Sequence, residues 1–347
     1  MARTAVVLFN LGGPDGPGAV RPFLFNLFND PAIIGAPAPI RWLIARLIST
    51  RRAPVARAIY ANIGGKSPLL DYTLEQAHAL EAVLDGKGGG VVRVFVAMRY
   101  WHPFADEAAR EVAAFEPDRI VLLPLYPQFS TTTSGSSFSD WSRAARAEGI
   151  HAPSTGVCCW FREPGYVSAQ ARLVRHAIEK AATDPARARL LFSAHGLPKK
   201  IVERGDPYQW QIEQTAAAIV EALAMPELDW RVCYQSRVGP LEWIGPSTEG
   251  EIAAAGAEGR SLVVMPIAFV SEHSETLVEL DIEYRKLAGE AGVPLYVRVP
   301  ALCSDAGFIE ALAGIVRTAP ARKTGLASLD GARGCPAGFA GCPLAVS

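Results

Sequence analysis

VVMPIAFVSEHSETLVELDIEY, residues 263–284, runs from an apolar, β-branched stretch through a polar loop holding His273 into a helix-forming stretch. Glu272, Glu275, Glu279 and Glu283 are spaced three, four and four apart, which predicts one face of an α-helix. Imidazole with carboxylate suits a divalent transition metal or a proton relay. A solvated acidic helix face is the plainer alternative. A second histidine favours the chemical reading: LLFSAHGLP, residues 190–198, places His195 at the end of another apolar run. A lone histidine there is commonly structural. Gly196 beside it, however, lets a ligand approach the backbone, and an imidazole titrating near neutrality suits proton abstraction.

The same order, strand then polar loop then helix, recurs along the chain. IVLLPLY at 120–126 is followed by PQFSTTTSGS, as LVVMPIAF at 262–269 is followed by VSEHSET. Strands are expected at 5–10, 91–98, 120–125, 190–194, 231–235, 262–269 and 295–299, with a weaker candidate at 156–160. Helices are expected at 23–28, 74–84, 104–115, 166–182, 212–224 and 275–287. Nearly continuous apolar strands alternating with helices predict an α/β fold with parallel sheets covered on both faces. At 347 residues two domains are expected, with a boundary near 148–153. The expected organisation is a first domain over 1–150, a second over 151–320 whose last helix packs back on the first, and a Gly- and Cys-rich tail over 321–347.

Polar residues gather at the carboxyl ends of these strands, where such folds bind ligands. They include the turn after Asn10, then Arg99, Ser130, His195, Ser236 and Glu275. No G-x-G-x-x-G or P-loop is present. The net charge of −1 gives no footprint for nucleic acid. No uninterrupted apolar run reaches about 18 residues, and MARTAVVLFNLGGP has no signal-peptide regions, so a cytoplasmic protein is expected. In that compartment the six cysteines are core residues or metal ligands rather than disulfides. Cys335 and Cys342 lie in a tail poor in core-forming residues, and a four-thiolate cluster there needs two more from Cys158, Cys159, Cys233 and Cys303.

Residues 32–57 interleave Ile40, Trp42, Leu43 and Leu47 with Arg46, Arg51, Arg52 and Arg57. Three readings stay open: a helix lying on an anionic membrane, a core helix with snorkelling arginines, and a hydrophobic lip over a cleft. Tyr60, Tyr100, Phe129, Trp243 and Phe269 could wall a flat ligand.

Nearly the whole chain resembles the ferrochelatase family. The resemblance rests on FNLGGP at 9–14, IGGKSP at 63–68, MRYWHP at 98–103, LYPQFSTTTSGSS at 125–137, FSAHGLP at 192–198, YQSRVGPLEWIGPST at 234–248 and PIAFVSEHSETLVELDIEY at 266–284. It implies two Rossmann-like domains, each a four-stranded parallel sheet flanked by helices, of the class II chelatase type. It implies insertion of Fe2+, as a substrate, into protoporphyrin IX to give protohaem with release of two protons, the last step of haem biosynthesis. Coproporphyrin III as substrate and a non-catalytic tetrapyrrole or metal carrier are the alternatives. By position, the resemblance makes His195 and Glu275 the catalytic pair. Glu272, His273 and Glu279 join them in handling the iron, with Glu283 on the same path. Leu11, Tyr60, Arg99, Ser130, Trp243 and Phe269 contact the porphyrin, Arg51 and Arg52 lie near the cleft mouth, and residues 32–48 form a membrane-facing lip. It also implies a [2Fe-2S] cluster on Cys158, Cys159, Cys335 and Cys342, although animal-type members carry three tail cysteines where this chain has two. A monomer or homodimer is expected, at the inner face of the cytoplasmic membrane through residues 32–57.

Overall fold

The computed structural model describes residues 2–85, 90–181, 187–237, 239, 241–319, 322 and 324–345. The chain divides into two compact units. One comprises Met1–Trp160, Leu312–Pro336 and Cys342–Ser347; the other comprises Phe161–Ala311 and Ala337–Gly341.

In the first stretch of chain the order is β1 (Arg3–Asn10), α1 (Val20–Phe28), α2 (Ala38–Ala61), α3 (Leu69–Leu84), β2 (Val91–Met98), α4 (Ala105–Phe115), β3 (Arg119–Pro124), α5 (Ser134–Ala147) and β4 (Ser154–Val157). There follow α6 (Pro164–Ala181), β5 (Ala188–His195), α7 (Lys199–Glu203), α8 (Tyr208–Leu223), β6 (Asp229–Gln235), α9 (Thr248–Ala257) and β7 (Ser261–Pro266). A π-helix (Glu275–Glu283) then runs directly into α10 (Tyr284–Glu290), before β8 (Tyr296–Arg298), α11 (Ala306–Thr318) and β9 (Gly325–Ala327). Ala182, the expected end of α6, lies outside the described residues.

Both sheets are parallel, with orders β2-β1-β3-β4-β9 and β6-β5-β7-β8. The central strands β1 and β5 are apolar along most of their length because helices cover both faces: Leu8 and Leu191 have no exposed surface. The first sheet has five strands rather than the expected four. The fifth, β9, comes from the tail and pairs with β4, Thr155 opposite Gly325, covering an edge that would otherwise be open.

The larger departure is the helix after β7. Its hydrogen bonds run from each residue to the fifth before it, a wider turn than that of an α-helix, which brings residues both four and five apart onto one face. Leu280 and Tyr284 pack with Leu191, Val264 and Ile252, which fastens this helix to the second sheet. Truncating Leu280 to Ala should cost about 2–5 kcal/mol.

Candidate active site

His195 is the last residue of β5, and its side chain is 39% exposed where the strands on either side are buried. Its Nδ1 lies 2.6 Å from the Gly196 carbonyl, which can only accept, so Nδ1 carries the hydrogen. In the neutral ring Nε2 then holds the lone pair, 3.9 Å from Glu275 Oε1. That gap exceeds a hydrogen bond but lies within Coulombic reach, so a proton taken up at Nε2 meets a carboxylate at once. Tyr208 Oη donates to the His195 carbonyl at 3.1 Å and holds the strand end. Gly196 is needed for close packing: a Cβ there would stand 3.1 Å from the Gln235 carbonyl oxygen and 3.2 Å from the Trp243 ring. Trp243 thereby lies against Gly196.

Glu275 opens the π-helix, and its Oε2 is buried with no hydrogen-bond partner. Such a group is what a substrate site leaves uncommitted. Its backbone N–H donates to His273 Nδ1 at 3.0 Å. Burial lowers the His273 pKa below its usual value, keeping the ring neutral, and the ring stands edge-on to Phe269 with centroids 4.4 Å apart. With Nδ1 taken, only Nε2 of His273 remains for other chemistry.

Glu279 is the next acidic residue inward. It accepts from Gln235 Nε2 at 3.0 Å, Ser236 N at 2.9 Å, Ser236 Oγ at 2.5 Å and Tyr284 Oη at 3.2 Å. Ser236 has a left-handed φ of 59°, a strained setting for a residue with a side chain, and that turn aims its N–H at Glu279. Burial, then the Glu275 charge, raises the Glu279 pKa above the carboxylate norm.

The single acidic face does not form. Glu272 is 6% exposed and is drawn to Arg298, with Nη1 at 2.8 and 3.1 Å, while Thr276 Oγ1 and Ala301 N also donate to it. Its oxygens are all committed to these partners, unlike Oε2 of Glu275. Glu283 is exposed. Glu272 lies in the loop before the helix and Glu283 at its last position, so the four carboxylates do not share one helical face.

In the first unit, Leu11 and Tyr60 join Val20, Phe23 and Tyr100 in one apolar cluster. Arg99 pairs with buried Asp30 at 2.9 Å and donates to Ser136 Oγ at 2.7 Å. Tyr100 Oη also donates to Asp30, at 2.8 Å. Asp30 then caps Ala32 N at 2.8 Å, so Arg99 anchors the segment leading into α2. Ser130 is buried, contacts Thr132 Oγ1 at 2.8 Å and shapes the turn into α5. On α2 the small residues Ala45, Ser49 and Ala53 are buried while Ile40, Leu43 and Leu47 are 52%, 61% and 51% exposed. This overturns the core-helix reading of that segment. Among the described residues no helix is long and apolar enough to cross a membrane.

Cys158 and Cys159 follow β4, with sulfurs 3.4 Å apart; Cys335 and Cys342 are buried in the same unit. The nearby sulfurs and burial raise the Cys159 pKa, and a hydrogen bond with Cys335 brings Cys342 down to about 6. Cys233, in the other unit, is enclosed and pushed up to about 12 by burial. Among the described residues, no three His, Cys, Asp or Glu side chains are arranged as a metal-holding group. Asp30, Tyr284 and Arg298 escaped the sequence reading, whereas Ser236 was signalled by the polar cluster ending β6.

Residues 3–319 match the family model described as Ferrochelatase. The ferrochelatase of Caulobacter vibrioides strain NA1000 / CB15N is 56% identical over 342 residues, covering 98% of this chain and 97% of that protein. That of Phenylobacterium zucineum is 56% identical over 345 residues, covering 99% and 96%. Among solved structures, SirB from Bacillus subtilis with Fe3+ aligns with a TM-score of 0.52 at 12% identity over 92% of this chain and 96% of that one, a likeness of fold.

Proposed function

Since the chain belongs to the ferrochelatase family, we propose that its metal chelation takes place at the His195–Glu275 pair. The enzyme is a lyase that joins Fe2+ to protoporphyrin IX, giving protohaem and two protons. The observation that carries the site is the 3.9 Å approach of a neutral-type imidazole nitrogen to a carboxylate whose second oxygen has no partner.

The chemistry asks for two things. Two pyrrole N–H bonds must break as two metal–nitrogen pairs form, so a base must stand at the ring face. His195 Nε2 has the free lone pair, and Glu275 stabilises the imidazolium that results. The flat ring must also expose its nitrogens. Trp243 beside Gly196, with the Phe269–His273 ring pair, supplies rigid aromatic surface against which a macrocycle can be held and bent. Glu275 and Glu279 are the carboxylates suited to deliver Fe2+ or to remove protons.

Two finer readings follow. What supports a [2Fe-2S] cluster on Cys158, Cys159, Cys335 and Cys342 is donor chemistry: four thiols, none in a disulfide, buried in one unit and acting on one another electrostatically. Such a cluster would supply a redox-sensitive tie for the tail. Visible absorption with iron and sulfide analysis of anaerobically purified protein tests it. What supports peripheral contact with the cytoplasmic face of a membrane is the exposed Ile40–Leu43–Leu47 stripe with Arg46, Arg51 and Arg52 exposed nearby.

Anaerobic incubation with Fe2+ and protoporphyrin IX tests the function. The free-base porphyrin spectrum should give way to that of haem, and a persistent free-base spectrum would refute it.

A further inference from the structure

The peptide unit joining His195 to Gly196 is held on both sides. Its N–H donates to the Gln235 carbonyl at 2.9 Å, and its C=O accepts from Tyr208 Oη at 3.1 Å. The next carbonyl, that of Gly196, is the one bonded to His195 Nδ1. The pitch of this peptide plane therefore decides where the imidazole stands. Gln235 belongs to β6 and is fixed by the sheet, directly opposite His195. Tyr208 lies outside the sheet and opens α8. It owes its place to the turn just before it, where Gly205 has a left-handed φ of 93° and the buried Asp206 carboxylate accepts the Tyr208 N–H at 3.0 Å.

A distant part of the chain packs on that turn. Residues 337–341 belong to the second unit, although the residues on either side of them do not. Gly341 N donates to the Gly205 carbonyl at 3.0 Å. The two backbones approach so closely that a Cβ on Gly205 would stand 2.6 Å from Ala340 N. One on Gly341 would stand 3.0 Å from the Gly205 carbonyl oxygen and 3.2 Å from Asp206 N. Phe339 lies tilted against Trp210 with ring centroids 5.8 Å apart, and Phe161 meets the same indole edge-on at 5.7 Å. Trp210 follows Tyr208 by two residues, so the contact reaches the first turn of α8. In GARGCPAGFAGC, residues 331–342, Phe339 is the one large apolar side chain, and it is placed here.

We propose that residues 337–341 are an internal clamp: by seating the Gly205–Asp206 turn they keep Tyr208 on the His195 carbonyl, and so keep the imidazole aimed for proton transfer. This deepens the reading of His195 as the proton acceptor and rests on it. Tyr208 and Phe339 are positioning residues that act through the His195–Gly196 peptide and touch no reacting atom. The clamp works on turnover rather than affinity. Porphyrin binding draws on a wide surface, whereas proton transfer depends on the direction of one lone pair, and a misplacement of about 1 Å can cost about 10²-fold in rate.

The test uses the full chain with Fe2+ and protoporphyrin IX under anaerobic conditions. Tyr208→Phe removes the hydrogen bond and Phe339→Ala removes the ring contact; each should lower kcat about tenfold with KM for porphyrin unchanged. Because both act through one peptide plane, the double variant should be no slower than the slower single, whereas independent effects would multiply to about a hundredfold. Phe339→Tyr keeps the ring and should restore most of the rate. Gly341→Ala, which presses on the Gly205 carbonyl, should be slowed as Phe339→Ala is, while Gly338→Ala, whose Cβ would meet nothing within 4 Å, should match wild type. Amide hydrogen exchange at Gly196 should quicken in Phe339→Ala. Wild-type turnover by Phe339→Ala, multiplying losses in the double variant, or equal slowing of Gly338→Ala and Gly341→Ala would overturn the clamp. Should Tyr208→Phe fail to fold, Phe339→Ala and Gly341→Ala, with exchange at Gly196, decide in its place. An inactive His195→Ala beside an unaffected Phe339→Ala would overturn the clamp only; an active His195→Ala would overturn the insertion site as well.

Discussion

Glu272 and Glu275 stand three residues apart in one loop and helix start, yet they end in different corners of the second unit. Around Glu272 every need is met: Arg298 neutralises it, a backbone N–H and the Thr276 hydroxyl donate to it, and Asp281 pairs with the other side of Arg298 at 3.0 Å. Around Glu275 the needs are left open: one oxygen faces His195 at 3.9 Å and the other has no partner. The same residue type is a structural brace in one corner and is left uncommitted in the other, and what separates them is hydrogen-bond saturation. The Arg99–Asp30–Tyr100 network in the first unit belongs with the Glu272 corner by the same criterion.

The contrast can be broken in several places. The largest effect should come from Glu275→Gln, which keeps the volume but removes the charge facing His195. Turnover should fall about 10²–10⁴-fold in steady-state assays, with unfolding free energy within about 1 kcal/mol of wild type by urea titration. Glu272→Ala should do the opposite. It leaves the Arg298 guanidinium buried beside Asp281 alone, so about 3–5 kcal/mol of stability should be lost, while the folded fraction keeps its specific activity.

A pH titration of stability sharpens the comparison. Burial depresses the His273 pKa, so the unfolded chain binds a proton that the folded one refuses. Its contribution is intact above the unfolded value of about 6.5 and is lost as pH falls through the folded value. Burial raises Glu279 instead, so its contribution is intact below about 4.3 and is lost as pH rises through its folded value. His273→Gln should flatten the acid side of the chemical-denaturation profile and leave the alkaline side unchanged. The smallest effect belongs to Glu283→Gln: its carboxylate is exposed, so stability should stay within about 0.5 kcal/mol.

The alternation of apolar runs with helices made both parallel sheets legible, because strands buried on both faces leave little freedom of composition. That His195 and Glu275 come within 3.9 Å was foreshadowed because each follows such a run. The π-helix was not. Its acidic spacing fits an α-helix equally well, and the choice is made by packing of Leu280 and Tyr284 against the sheet. Arg99 could be found but not its pairing with Asp30, since Asp30 lies 70 residues from Tyr100 in the same network and no local pattern announces it. Strand β9 was hidden because GLA is too short to read as a strand without β4 beside it.

The most direct measurement is metal insertion by His195→Ala, followed together with its binding of protoporphyrin IX. The variant should bind the porphyrin about as tightly as wild type and leave its free-base spectrum unchanged when Fe2+ is added. Haem formation at a near-normal rate would contradict the assignment of that imidazole as the proton acceptor.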